Sequence, residues 1–176
     1  QKAQEERLLS LAQTDLLTGL PNQMLFRDRL QQAILHIANE REELQGYLAV
    51  LSIGLDGFKK VNDSLGHGAG DRVVVETSKR LRAGVRESDT LSRLRGDEFA
   101  LLLPGVADKH ALRNVVTQLL SAMREPLHVE GVDLFMTGSV GIALYPQDSR
   151  EHSTLLQQAD AAMHQAKDRG RDRYCF

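Results

Sequence analysis

A chain of 176 residues, 41% hydrophobic and 26% charged, is long enough to bury a core and is composed like an ordinary globular domain. Its formal net charge of −2 gives no basis for wrapping a nucleic-acid backbone, and its single cysteine, Cys175, excludes an internal disulfide framework and suits a reducing, cytoplasmic compartment. No apolar run approaches the roughly 20 residues that span a bilayer, and the charged opening QKAQEERLL is not a signal peptide, so this fragment is expected to make no membrane contact.

Residues 1–13 place Leu8, Leu11 and Ala12 on one helical face. That segment is too short to be stable alone. It also opens without Met inside a helical pattern, so residues 1–13 are expected to be a connecting signalling helix and 14–176 the domain, cut from something longer. Thr14 to Asn22 (TDLLTGLPN) is a breaker cluster. Asn22 is predicted to cap a helix whose apolar face is Phe26, Leu30, Ala33, Ile34, Ile37 and Ala38.

Tyr47 to Leu55 is mostly apolar, as in a strand covered on both faces. A short polar helix is predicted from Phe58 to Leu65, stopped by Gly66-His67-Gly68, and another from Ala69 to Val85 with Val74, Thr77, Leu81 and Val85 in one stripe. Thr90–Leu94 and Phe99–Leu103 read as strands around a hairpin turn, Arg95 to Glu98. An amphipathic helix carries Ala111, Leu112, Val115, Val116, Leu119, Leu120 and Met123. Leu127–Val129 and Val132–Leu144 are predicted strands about Glu130-Gly131. Leu155, Leu156, Ala159, Ala162, Met163 and Ala166 mark a last helix, and Arg173–Phe176 a closing strand. Helices alternate with strands and hairpins and no repeat is visible, which predicts one α/β layer fold.

Polar clusters fall at strand ends and turns: Gly54 to Asp63, Leu65 to Asp71, and Arg93 to Phe99. Each has a plain explanation by itself. The glycines serve a turn, Asp71 sits in a helix first turn where the dipole favours an acid, and Asp97 and Glu98 are solvated hairpin acids. Their order and spacing are more specific.

Taken together, the motifs resemble those of the GGDEF family. The family pattern D-x-L-T-G-L-P-N is met at Asp15 to Asn22, the F-K-x-x-N-D-x-x-G-H-x-x-G-D run at Phe58 to Asp71, and the signature at Arg93 to Phe99. G-I-A-x-Y-P follows at Gly141 to Pro146, then Asp160 to Met163 and Lys167 to Arg171. The resemblance implies a nucleotidyl-cyclase-like α/β (α+β) fold, a ferredoxin-like mixed sheet packed with helices. Family members join two GTP molecules into cyclic di-GMP and release two pyrophosphates, each subunit of a dimer holding one GTP.

By position, the resemblance makes Asn62 and Asp71 the readers of the guanine edge, and Lys167 and Arg171 the cations on the terminal phosphates. Phe58, Lys59 and Lys60 begin a turn whose backbone N–H groups face the phosphates. The magnesium ligands fall at Gly54, the Leu55 backbone carbonyl and Asp97, with Asp97 and Glu98 the signature acids. Gly54 has no side chain, so one carboxylate is lost and the magnesium site is weakened. Asp56 shares a strand face with Gly54 but lies about 6–7 Å along it, too far for direct replacement without a shift. Arg95 stands in place of the signature's first glycine, a lesser departure because Gly96 keeps the turn flexible.

Arg86 and Asp89 match an R-x-x-D motif that binds cyclic di-GMP and inhibits the cyclase in family members, with Arg93 an accessory arginine. Their plainer explanation is a surface ion pair of little worth. His67 has no nearby second His or Cys and is expected to buttress its turn, and His164 stands where the family has Tyr. The resemblance points to a degenerate member that is weak or inactive as a cyclase and binds cyclic di-GMP or GTP as a regulatory module. Its expected partners are a second copy, a sensor domain upstream and an EAL domain downstream. A working cyclase that recruits Asp56, and a purely structural dimerisation element, are the alternatives.

Overall fold

The apolar run expected as a strand becomes β1 (Tyr47–Asp56), the middle of a five-stranded sheet. The computed structural model describes residues 1–39 and 46–176. Before β1 come α1 (Lys2–Gln13) and α2 (Gln23–Asn39). After it come α3 (Phe58–Leu65), α4 (His67–Ala83), the hairpin β2 (Thr90–Arg95) and β3 (Glu98–Val106), and α5 (Lys109–Arg124). The chain continues through β4 (Leu127–Val129), β5 (Val132–Leu134), β6 (Thr137–Tyr145), α6 (His152–Asp168) and β7 (Arg173–Cys175). The sheet order is β2-β3-β1-β6-β7, antiparallel except for the parallel β6–β7 pair. This is the mixed sheet packed by helices that the motifs predict.

Side chains alternate across β1, and this decides where the site forms. Ala49, Leu51, Ile53 and Leu55 join a core with Val74 and Leu81 of α4 and Leu112, Val116 and Leu119 of α5. Leu48 and Val50 meet Phe26 and Leu30 of α2 and Leu155 and Ala159 of α6 on the other face. Gly54 and Asp56 keep step with Leu48 and Val50, so they face α6. Burying each large apolar side chain contributes roughly 1.5–3 kcal/mol, and Phe26 and Leu30 are fully buried. Asn22 caps α2 as predicted, its Oδ1 accepting from the Leu25 N–H at 3.1 Å.

One glycine sets the spacing of α6. A β-carbon at Gly141 of β6 would lie 2.0 Å from the Ala159 carbonyl oxygen and 2.1 Å from the Met163 nitrogen. Only glycine lets the α6 backbone rest on the strand at this depth.

Two boundaries differ from the sequence expectation. The single strand expected over Val132–Leu144 is divided: β5 pairs with β4 in a separate two-stranded sheet, and β6 starts anew at Thr137. Phe135 is exposed and Met136 buried where the chain leaves the small hairpin, and no Gly or Pro marks the change in sequence. The break before α4 is Gly66 alone, with φ of 89°, so His67 and Gly68 already lie in the helix. Along α1 no residue is buried, and Leu8, Leu9 and Leu11 are exposed.

Candidate nucleotide and metal site

The C-terminal end of β1 meets the tip of the β2–β3 hairpin. Gly54 pairs with Glu98 in the register, and the Leu55 N–H donates to the Asp97 carbonyl at 3.2 Å. Gly54, Leu55 and Asp97, expected together from the motifs, are therefore brought together. Gly96 turns the hairpin with φ of 48°. Arg95 projects outward, 79% exposed, and pairs with Glu98 at 3.4 Å. It does not fill the site.

Beside Gly54 lies the side chain of Lys167, from the last turn of α6. A β-carbon at position 54 would fall 2.9 Å from Met163 Sδ and 3.0 Å from Lys167 Cε. The Lys167 ammonium donates to the Leu55 carbonyl at 3.0 Å and to Asp56 Oδ1 at 3.1 Å. Asp56 is buried and fully engaged. Its Oδ1 also accepts from Ser139 Oγ at 2.7 Å, and its Oδ2 from Thr137 Oγ1 at 2.6 Å and the Asp172 N–H at 3.0 Å. Burial alone would raise the Asp56 carboxyl, but these hydrogen bonds outweigh it and hold the group below the ordinary carboxylate value.

Asp97 aside, these donors do not fit a hard divalent cation. Magnesium wants near-octahedral oxygen ligands. Position 54 offers none, the Leu55 carbonyl already accepts from an ammonium, and both Asp56 oxygens are committed to four donors. The recruitment of Asp56 considered from the sequence would break that whole cluster. Among the described residues, no group of three or more His, Cys, Asp and Glu side chains is placed to hold a metal ion.

The pair expected to read guanine stands on consecutive helices, Asn62 on α3 and Asp71 on α4. The Gly66 N–H donates to the Asn62 carbonyl at 2.9 Å and ties the two helices at their junction. Asn62 Oδ1 is buried without a hydrogen-bond partner, a costly arrangement unless a ligand donor completes it. Asp71 is exposed and borders a cavity with Leu17, Glu76 and His128. Phe58, Lys59 and Lys60 form the first turn of α3, where backbone N–H groups lack intrahelical acceptors. Arg171 is exposed, with φ of 62°, and lies four residues beyond Lys167.

The second cluster lies elsewhere. Arg86 and Asp89 border a cavity of about 350 Å³ together with Arg29, Arg82, Pro21 and Leu91. Asp89 Oδ2 accepts from the Arg86 N–H at 2.8 Å, while Oδ1 is buried and has no partner. Arg93, expected as the accessory arginine, does not line this cavity. It turns to Asp15 at 3.1 Å and to the Gly96 carbonyl at 2.9 Å, locking the hairpin to the Thr14–Asn22 segment. Asp15 in turn accepts from Thr18 Oγ1 at 2.6 Å, which explains the acid and threonine of that motif.

Sequence reasoning missed Arg29 and Arg82 at the second cavity and Thr137 and Ser139 behind Asp56. The last two occupy alternate positions of one strand, a weak signal for a shared polar face. His67 is exposed at the first residue of α4, and His164 is exposed and 3.6 Å from Asp160.

A family model described as "Diguanylate cyclase, GGDEF domain" matches residues 12–173. MucR of Pseudomonas aeruginosa, named a bifunctional diguanylate cyclase/cyclic di-GMP phosphodiesterase, is 43% identical over 96% of this chain, which spans only 24% of MucR. TpbB of the same organism, named a diguanylate cyclase, is 42% identical over 91% of the chain, which covers 36% of TpbB. The crystal structure of the TpbB GGDEF domain superposes with a TM-score of 0.83 at 40% identity, covering 89% of this chain and 96% of that one. The GGDEF domain of DgcB from Caulobacter crescentus, solved in complex with cyclic di-GMP, gives 0.82 at 28% identity over 93% and 92% of the two chains. A mixed sheet ending in a signature hairpin, with helices on both faces, defines a nucleotidyl-cyclase-like domain. This chain belongs to the GGDEF family, the domain of cyclic di-GMP signalling proteins. Among the described residues no helix is long and apolar enough to cross a membrane.

Proposed function

We propose that this chain is a regulatory or receptor GGDEF domain that binds a guanine nucleotide and is weak or inactive as a cyclase. The observation that carries the reading is position 54, where a glycine lies under Met163 and Lys167. Phosphoryl transfer depends almost wholly on positioning and on stabilising charge at the phosphates. The donor set that would hold a metal for that purpose is broken, while the binding residues are present.

Two binding modes follow. GTP is held by Asn62 and Asp71 at its base, by the first turn of α3 at Phe58 and Lys59, and by Lys167 and Arg171 at its phosphates. Cyclic di-GMP is held by Arg86 and Asp89, with a stacked guanine against the guanidinium and its N–H groups on the carboxylate. The unpartnered acceptors of Asn62 and Asp89 support both modes. A second reading, a working cyclase making cyclic di-GMP from two GTP, is favoured by the Leu55–Asp97 hydrogen bond that keeps the signature hairpin in place. In the longer protein, we place residues 1–13 as the connecting helix, 14–176 as the signalling domain in the cytoplasm, and sensor and EAL domains on either side. A homodimer is the expected assembly.

Calorimetric titration of the purified chain with cyclic di-GMP and with GTP plus magnesium, followed by a product assay, decides between the readings. Binding without turnover is expected. Sustained cyclic di-GMP synthesis would overturn the proposal in favour of the cyclase, and silence towards both ligands would leave only a structural role.

A further inference from the structure

Lys167 stands where the family's metal arrangement would require an oxygen ligand to be free. Its ammonium holds the Leu55 carbonyl at 3.0 Å, and its Cε lies 3.0 Å from the place a side chain at position 54 would begin. The glycine and the lysine fit each other: any larger residue at 54 would force the Lys167 tail to move. We propose that Lys167 acts as a tethered counter-ion and that the nucleotide site takes GTP without a divalent cation. This rests on the GTP-binding reading above and names the form of the ligand that the site accepts.

The charges at the site support it. Removal of the carboxylate at position 54 takes away one negative charge that would repel a triphosphate. Asp56 is charge-paired with Lys167 and hydrogen-bonded by its hydroxyl and amide donors. Lys167 and Arg171 then face the phosphates together with the first-turn N–H groups of α3. Of the expected ligands, a divalent ion carried in on GTP keeps the Asp97 carboxylate, gains none from position 54 or 56, and meets the ammonium at the Leu55 carbonyl. Two cations at one carbonyl repel each other. With Asp97 as the one expected carboxylate left, the protein gains little from the metal on binding.

The test is made on the unaltered chain. The dissociation constant of a fluorescent GTP analogue is measured by anisotropy in excess EDTA and again in millimolar magnesium. Affinities within about threefold of each other, or tighter binding in EDTA, are expected. Binding at least about tenfold weaker in EDTA would overturn the inference while leaving the nucleotide-binding reading intact. Absence of binding in both conditions would overturn both. A second arm uses Gly54→Asp, checked for folding by circular dichroism. The new carboxylate should displace the flexible end of Lys167 and make binding at least about tenfold tighter with magnesium than with EDTA. A Gly54→Asp protein that folds, binds the analogue and stays indifferent to magnesium would count against the role given to position 54 and overturn the inference.

Discussion

Gly70 stands so close to Asn62 that a β-carbon at position 70 would fall 1.8 Å from Asn62 Oδ1. The helix gives up the propensity of alanine so that the amide can lie flat against α4. The cost of a glycine there is about 0.5–1 kcal/mol, and what is gained is the position of an acceptor with no other partner. Gly70→Ala is therefore expected to weaken GTP binding at least about tenfold while cyclic di-GMP binding at Arg86 and Asp89 stays the same. Parallel fluorescence titrations with the two ligands check it, and equal loss of both would point to general misfolding instead.

Asp56 is predicted to be a structural anchor. Asp56→Ala leaves Lys167, Thr137 and Ser139 without their shared acceptor in a buried place, which should cost about 3 kcal/mol in urea denaturation at neutral pH. The sign of the pH effect follows from its lowered titration. The fold favours the ionised carboxylate, so its contribution is complete above the unfolded value of about 3.9 and is lost as pH falls through the lower folded value. Acidification below about pH 4 should thus destabilise the unaltered chain more steeply than Asp56→Asn. Parallel slopes for the two proteins would refute this.

Arg86→Ala and Asp89→Ala should each abolish measurable cyclic di-GMP binding. Arg29→Ala and Arg82→Ala, which border the same cavity, should weaken it about three- to tenfold by removing positive charge near the phosphates. Arg93→Ala should leave the affinity within about threefold, because its guanidinium is occupied on the hairpin side. Calorimetry on the variants separates these outcomes, and a complete loss with Arg93→Ala would return that residue to the ligand site.

The Asp15–Arg93 pair is half-buried, 19% and 15% exposed at its side chains, and joins positions 78 residues apart. A double-mutant cycle with Asp15→Asn and Arg93→Ala should report a coupling of about 1–2 kcal/mol in denaturation. A coupling near zero would mean that other contacts seat the hairpin.

Much of the fold is legible in the sequence. The apolar run of β1, the cap at Asn22 and the hairpin at Gly96 follow from local rules, because each is decided by residues next to one another in the chain. The motif positions grouped Gly54, Leu55 and Asp97, which lie together where β1 meets the hairpin. What stayed hidden depends on distant partners. Asp56 reads as too distant along β1 to replace the missing ligand, but its strand position says nothing of Thr137 and Ser139, 81 and 83 residues away, which hold it in place. Arg93 looked like a ligand residue because Asp15 is equally remote. The division between β5 and β6 was invisible because the sequence changes sheets there without a glycine or proline to mark it.

Gly141→Ala tests how firmly α6 is seated. The added methyl group would strike backbone atoms, 2.0 and 2.1 Å away, that no rotamer change can move. The variant is expected to be insoluble or to unfold well below the parent temperature, and a melting temperature within about 2 °C of the parent would show that α6 can lift off the sheet.

That seating also bears on speed. With the helix held to β6, the ammonium of Lys167 can turn a further N–H toward an arriving phosphate, one remaining on the Leu55 carbonyl, only by rotation of its own side chain. Such rotations take picoseconds to nanoseconds, whereas helix displacement takes microseconds or longer. On the proposed GTP-binding reading, capture at this end of the site is thereby limited by how often the nucleotide arrives, not by waiting for the domain to open.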